Sequence, residues 1–225
     1  MLIAEDLLLL LLDDETGKAS KGQELPPALG GALLVELAML GAVELEPKQG
    51  LFGSAKVHAE TGPALEDPLL AHALAVVQDK PRRAQSVVEK LGKGAKETLA
   101  DRLVERGVLE RREDRVLGLF PRTTWPTKDA GHEQQLRATL TAVLTTEQPP
   151  DERTAALVSL LSAIDHAHKV VDHPGLSNRE VKKRAKQIAE GDWASKAVKD
   201  SVQAAQAATT AAIVAVTATT TAGTN

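Results

Sequence analysis

The sequence has no cysteine and no tyrosine, and its 225 residues include only two phenylalanines and two tryptophans. Without cysteine there are no disulfides, no thiolate nucleophiles and no cysteine-ligated metals, which fits a reducing compartment. Aromatics at 2% beside hydrophobic residues at 43% mean that the core must be built from Leu, Val, Ile and Ala, a composition that favours packed helices. A basic excess is missing as well. A formal charge of −4 and a pI near 5.9 argue against a surface adapted as a whole to nucleic acid, so any anion-binding site has to be local.

Long apolar runs with membrane or targeting character are also scarce. The leucine run at 7–12 follows Glu5 and Asp6 instead of a basic region and is too short to span a bilayer, so it reads as a buried helix. Residues 201–225 carry no charge, yet they are mainly Ala and Thr, with Val202, Ile213, Val214 and Val216 the strongly apolar positions. This pattern predicts a core helix fraying after about Thr217 instead of a membrane span.

Apolar spacing predicts helices over 2–12, 28–40, 68–78, 83–91, 96–106, 134–144, 151–171, 178–189 and 193–216. Gly17 suits a turn after the first, and a loop leads to Pro27. Gly41 stops the second helix before Val43 and Leu45 alternate as a strand, with 55–59 returning as its hairpin partner. Gly107 ends another helix, after which 108–110 and 116–120 are expected to flank a polar turn at 111–115. No linker divides the chain. The expectation is a mostly α, single domain over 1–217 with one or two short β-hairpins and a frayed tail at 218–225.

Catalytic patterns are weak. Gly92 and Gly94 stand in Leu91-Gly92-Lys93-Gly94-Ala95-Lys96 without the Ser/Thr or strand of a P-loop, and no serine lies in an elbow motif. On one helix, Asp165, His168 and Asp172 would share a face near His173 and suit a metal, but hydrogen bonding among acids and histidines before Pro174 is the simpler reading. No catalysis, cofactor or metal is expected. The helix–glycine–strand units at 34–45 and 103–110 also match how winged-helix regulators end, with 111–115 as the wing. Glu113 and Asp114 within that wing oppose phosphate contact, so nucleic acid is the lesser alternative.

One local feature stands out. Lys80, Arg82, Arg83, Lys90, Lys93 and Lys96 face only Asp79 and Glu89 in their stretch, Gly92 and Gly94 free the backbone, and a helix starts near Lys96 with its amides and positive dipole end at the same place. That suits a phosphate; a solvated loop with ordinary lysines is the alternative. A second run, 182–186, reads as a solvent-facing helix surface.

Glu5 to Leu12 followed by Asp13 and Gly17, the helix–strand at 31–45, the segment 99–109, Thr123-Thr124 with Pro126, and the segment 151–167 occur in an order and spacing that resembles the Golgi phosphoprotein 3 family over residues 2–216. The resemblance implies a bundle wrapped by amphipathic helices, a protruding hairpin, a pocket for phosphatidylinositol 4-phosphate and an adaptor role without catalysis. Two pocket arginines of the family fall on Lys93 and Lys96. Its pocket tryptophan falls on Gly22 and a further arginine on Gly30, with Lys21 the nearby cation that would substitute. Lysine lacks the bidentate fork of arginine, so attraction survives better than headgroup selectivity.

Relative to the eukaryotic members, the basic N-terminal tail is missing, Leu51 and Phe52 are the apolar tip of the first hairpin, suited to membrane insertion or self-association, and 145–150 replaces an apolar membrane-dipping loop. These differences imply a bacterial member, cytoplasmic and visiting the inner membrane face. The expected partner is an anionic phospholipid headgroup, with a protein partner or homo-oligomer also allowed. A protein-interaction scaffold that keeps the fold without the lipid pocket is the main alternative.

Overall fold

The computed structural model describes the whole chain except residues 47–54, 63, 79–80, 117–118, 192–195 and 223–225. Its centre is built from the two most apolar segments. Helix α1 (Ile3–Leu11) is buried along its entire length, and α2 (Leu25–Met39) is apolar on every side and buried at twelve positions, as a helix surrounded by others must be. It starts at Leu25, earlier than the loop expected up to Pro27, because Pro26 and Pro27 occupy its first turn, where a missing N–H costs nothing.

The remaining helices wrap this pair. Helices α3 (Pro68–Gln78), α4 (Ala84–Gly92) and α9 (Lys196–Ala222) pack on α2, while α5 (Ala95–Glu105), α6 (Gly131–Thr145) and α7 (Glu152–Ala163) pack on α1. Helix α8 (Asn178–Glu190) covers α7, burying Val181, Ala185, Ile188 and Ala189 and turning its lysines outward; Ser177 and Glu180 close a capping box at its start. Contact between α2 and α4 is backbone to backbone: a Cβ on Gly30 would collide with the Val88 carbonyl and lie 2.7 Å from the Gly92 nitrogen. The fold is mostly α, with nine α-helices among the described residues.

Two small antiparallel sheets complete it. Strands β1 (Val43–Glu46), β2 (Lys56–Ala59) and β3 (Arg82–Arg83) run in that spatial order, with Val43, Leu45 and Val57 turned to the core. The tip with Leu51 and Phe52 lies outside the described residues. The second hairpin corrects the sequence reading. Its strands are β4 (Arg112–Val116) and β5 (Phe120–Thr124), so residues 111–115, expected to be the turn, are mostly strand. Cross-strand charge pairing, seen between Asp114 and Arg122, stabilises this exposed ribbon where apolar alternation does not.

Helix α7 also ends sooner than the predicted 171. It stops at Ala163, Asp165 turns to φ 51, and a short 3-10 turn, Ala167–Lys169, follows. At the other end, α9 continues through Ala222, past the fray expected at Thr217. Its stretch Lys199–Ala218 is long and apolar enough by length and composition to cross a membrane, and 33% of it is buried in the fold.

Buried carboxylates on α1 lock the bundle. Glu5, 0% exposed, accepts Arg102 Nε and Arg106 Nη1, each at 2.9 Å, and the Leu2 amide at 2.7 Å. Asp6 accepts Arg153 Nη2 at 2.7 Å and contacts His132 Nε2 at 2.7 Å. Burial pushes the neighbouring Glu36 carboxyl upward against the pull of the Ile3 amide and Arg153. A carboxylate taken out of water must be met by such donors, and here they come from α5, α6 and α7, with the arginines on α5 and α7 supplying the positive charge.

Candidate functional site

The cationic run converges where α4 hands over to α5. Helix α4 ends at Gly92, Lys93 follows it, and Gly94 adopts φ +74 to turn the chain into α5. A left-handed conformation there suits glycine because a side chain would be strained. No side chain caps the start of α5, so its first-turn amides keep the unpaired donors and partial positive charge of a helix N-terminus.

This corner forms one wall of an open cleft of about 540 Å³. Lys93 and Lys96 line it, as does Gly22, where a Cβ would meet nothing within 4 Å. Leu25, Pro26 and Pro27 from the start of α2 and Val216 from α9 supply the apolar part of the lining, with the Pro26 backbone packed directly against Gly92. Glu89 and Glu97 complete the lining. The Lys96 ammonium lies 4.8 Å from the centroid of the Trp125 ring, a cation–π contact that fixes its position. Trp125 is buried and its indole N–H has no hydrogen-bond partner.

Three of the five residues expected at the headgroup site therefore share one cleft: Gly22, Lys93 and Lys96. The other two stand elsewhere. Lys21 pairs with Glu24 at 2.7 Å and is absent from the cleft lining. Gly30 is buried in the α2–α4 contact, where its missing side chain lets two helices touch. Sequence reasoning missed the apolar residues of the lining and Glu97, whose place in the first turn after Gly94 was the available signal for the latter.

The histidine cluster does not gather into a metal site. Asp165 pairs with Lys182 at 2.7 Å, which holds its carboxyl below the ordinary range, and the His173 ring sits between the carbonyls of Leu176 and His168 at 3.0 and 3.1 Å. No group of three or more potential metal ligands occurs among the described residues. His166 is buried beside Ser20, whose hydroxyl donates to the Leu11 carbonyl at 3.0 Å, and burial, followed by Lys169 and Lys21, pulls its pKa down to about 4. A larger groove of about 590 Å³ runs between α6 and the segment after the 3-10 turn, but its Arg137 is already committed to Glu133 and the Val170 carbonyl.

The family model of Golgi phosphoprotein 3 (GPP34) matches residues 3–205 of this chain. The chain belongs to the Golgi phosphoprotein 3 family. The match takes in Lys93, Lys96 and the start of α2, and ends before Val216, the α9 residue in the cleft lining.

Proposed function

We propose that this Golgi phosphoprotein 3 family protein is a non-catalytic adaptor that holds the phosphate of a lipid headgroup between Lys93 and Lys96 and so associates peripherally with the cytoplasmic face of a membrane. The observation that carries this reading is the placing of both lysines beside the uncapped, glycine-led N-terminus of α5 in an open cleft. Helix dipole, free amides and two ammonium groups all favour an anion there. Phosphatidylinositol 4-phosphate is the headgroup that family membership suggests. Each lysine near an anionic surface contributes about 1 kcal/mol, and exposed charges are screened within roughly 10 Å at ordinary ionic strength. Binding is therefore weak and salt-sensitive.

The test is vesicle co-flotation of wild type and Lys93→Ala/Lys96→Ala, with and without phosphatidylinositol 4-phosphate, at low and physiological salt. The reading expects wild-type binding that falls with salt and is lost in the variant. If both proteins ignore every phospholipid vesicle, lipid binding is wrong and the fold serves as a protein-interaction scaffold.

A further inference from the structure

Helix α9 changes character along its length. Through Ala212 it is fastened to the bundle: Ala205, Thr209 and Ala212 are fully buried, and a Cβ on Gly31 would collide with the Thr209 hydroxyl. Crossing a bilayer, which the length and composition of Lys199–Ala218 permit, would tear these contacts open. Beyond Ala212 the helix emerges. Val214 is 60% exposed, Thr217 and Ala218 are exposed, and Ile213 and Val216 are partly buried. Residues 201–225 carry no charged side chain. The exposed hydroxyls of Thr210 and Thr217 donate to the carbonyls of Gln206 and Ile213 at 3.0 and 3.1 Å, bonds that persist where water is excluded.

Val216 fixes where this uncharged end lies, because it lines the same cleft as Lys93 and Lys96. A helix with its side chains is about 10–12 Å across, so Val214, two residues away, stays within about that distance of the cleft. We infer that residues 213–218 enter the interfacial layer of the bilayer that supplies the headgroup, with Val216 against the glycerol end of the bound lipid and Val214 among its neighbours. The inference rests on the lipid-binding reading above and adds an apolar contact to its ionic one. A lipid held by its phosphate in the cleft keeps its acyl chains in the bilayer, which brings the bilayer surface to the end of α9. Charged side chains there would resist losing water; valine, alanine and back-bonded threonine do not. The headgroup preference stays with the lysines. Their attraction is screened by salt and the apolar contact is not, so the two are separable.

Because the chain has no cysteine, one introduced thiol can be labelled cleanly. Val214→Cys and, as a control on α8 outside the cleft lining, the exposed Gln187→Cys carry an environment-sensitive nitrobenzoxadiazole dye. Each is mixed with phosphatidylcholine vesicles with and without phosphatidylinositol 4-phosphate. The dye at 214 should shift to the blue and brighten severalfold only when phosphatidylinositol 4-phosphate is present, and the dye at 187 should not respond. Adding Lys93→Ala/Lys96→Ala should silence the dye at 214. A second measurement uses no label. Valine and asparagine have similar helix propensity, so Val214→Asn/Val216→Asn removes the apolar contact without changing charge or helicity. It should co-float severalfold less than wild type at both low and physiological salt, with the salt dependence retained.

A dye at 214 that stays in water while the protein binds vesicles, or an asparagine variant that binds as wild type does, overturns the inference and leaves the lipid-binding reading standing. So does an equal response at 187. A shift that needs neither phosphatidylinositol 4-phosphate nor the lysines overturns the link between α9 and the cleft. A shift that grows with protein concentration in the absence of vesicles identifies a second copy of the chain as the partner of this helix end and overturns the bilayer. Absence of wild-type binding to any vesicle overturns both readings.

Discussion

Replacing Gly30 by alanine should destabilise the protein, although the same change usually strengthens a helix. An added Cβ would strike the Val88 carbonyl and approach the Gly92 nitrogen to 2.7 Å, inside the 3.0 Å that Cβ atoms keep. Both obstacles are backbone, so relief requires α2 and α4 to move apart. Overpacking of this kind costs about 1–3 kcal/mol, and two rigid obstacles place it near about 3. Helix propensity returns about 1 kcal/mol when Gly becomes Ala. The net loss of about 2 kcal/mol corresponds to a fall in Tm of roughly 4–8 °C for a chain of this size. Thermal unfolding followed by circular dichroism or calorimetry reads this directly. Gly30→Arg, which would restore the arginine of the family pocket, should fail to fold; Gly22→Trp, with open space around its Cβ, should leave Tm nearly unchanged. A Gly30→Ala protein as stable as wild type would falsify the assignment of Gly30 to helix contact instead of the pocket.

The buried network makes a second prediction. Arg102→Met leaves Glu5 with an incomplete set of donors and should cost about 3–5 kcal/mol in urea unfolding, whereas adding Glu5→Gln should restore much of it; equal stability of the single and double variants would refute this. His166 supplies a pH dependence. Its folded pKa of about 4 lies below the ordinary 6.5, so the unfolded state binds the extra proton and stability falls as pH drops from about 6.5 to about 4. The full difference is about 3 kcal/mol, and His166→Gln should flatten the slope by about one proton; an unchanged slope would show that His166 does not titrate in this way. Trp125 offers an optical readout. In a Trp193→Phe background, headgroup binding that shifts Lys96 should change Trp125 emission, and Lys96→Met should abolish the change; a response that survives Lys96→Met would separate the cation–π contact from the site.

Local chemistry made several elements legible. The helix over 68–78 matches α3 at both ends, and Ser177 with Glu180 three residues on marks the start of α8. Gly94 before Lys96 announced the turn from α4 into α5 because its φ and the helix start depend only on neighbouring residues. The errors occur where tertiary context decides. Asp165 breaks the helix expected through 171 by taking a positive φ that no glycine or proline signals. Residues 111–115 look like a polar turn, but 112–115 pair as a strand, since charges across a ribbon can replace an apolar face. Gly30 fell in the pocket by linear correspondence, whereas its role depends on Val88, far along the chain. The apolar part of the cleft lining joins Pro26 to Val216, a distance in sequence that no local pattern bridges.

The arginines that neutralise α1 set an order for the birth of this protein. Glu5 waits for Arg102, 97 residues later, and Asp6 for Arg153, 147 residues later. While the ribosome is still making that intervening chain, the leucine-rich first helix has no closed core to enter, and burying its carboxylates early would leave them without counter-charges. A nascent chain truncated before Arg153 should consequently stay protease-sensitive and chaperone-bound at its N-terminus, and the domain should close only when α7 has cleared the exit tunnel.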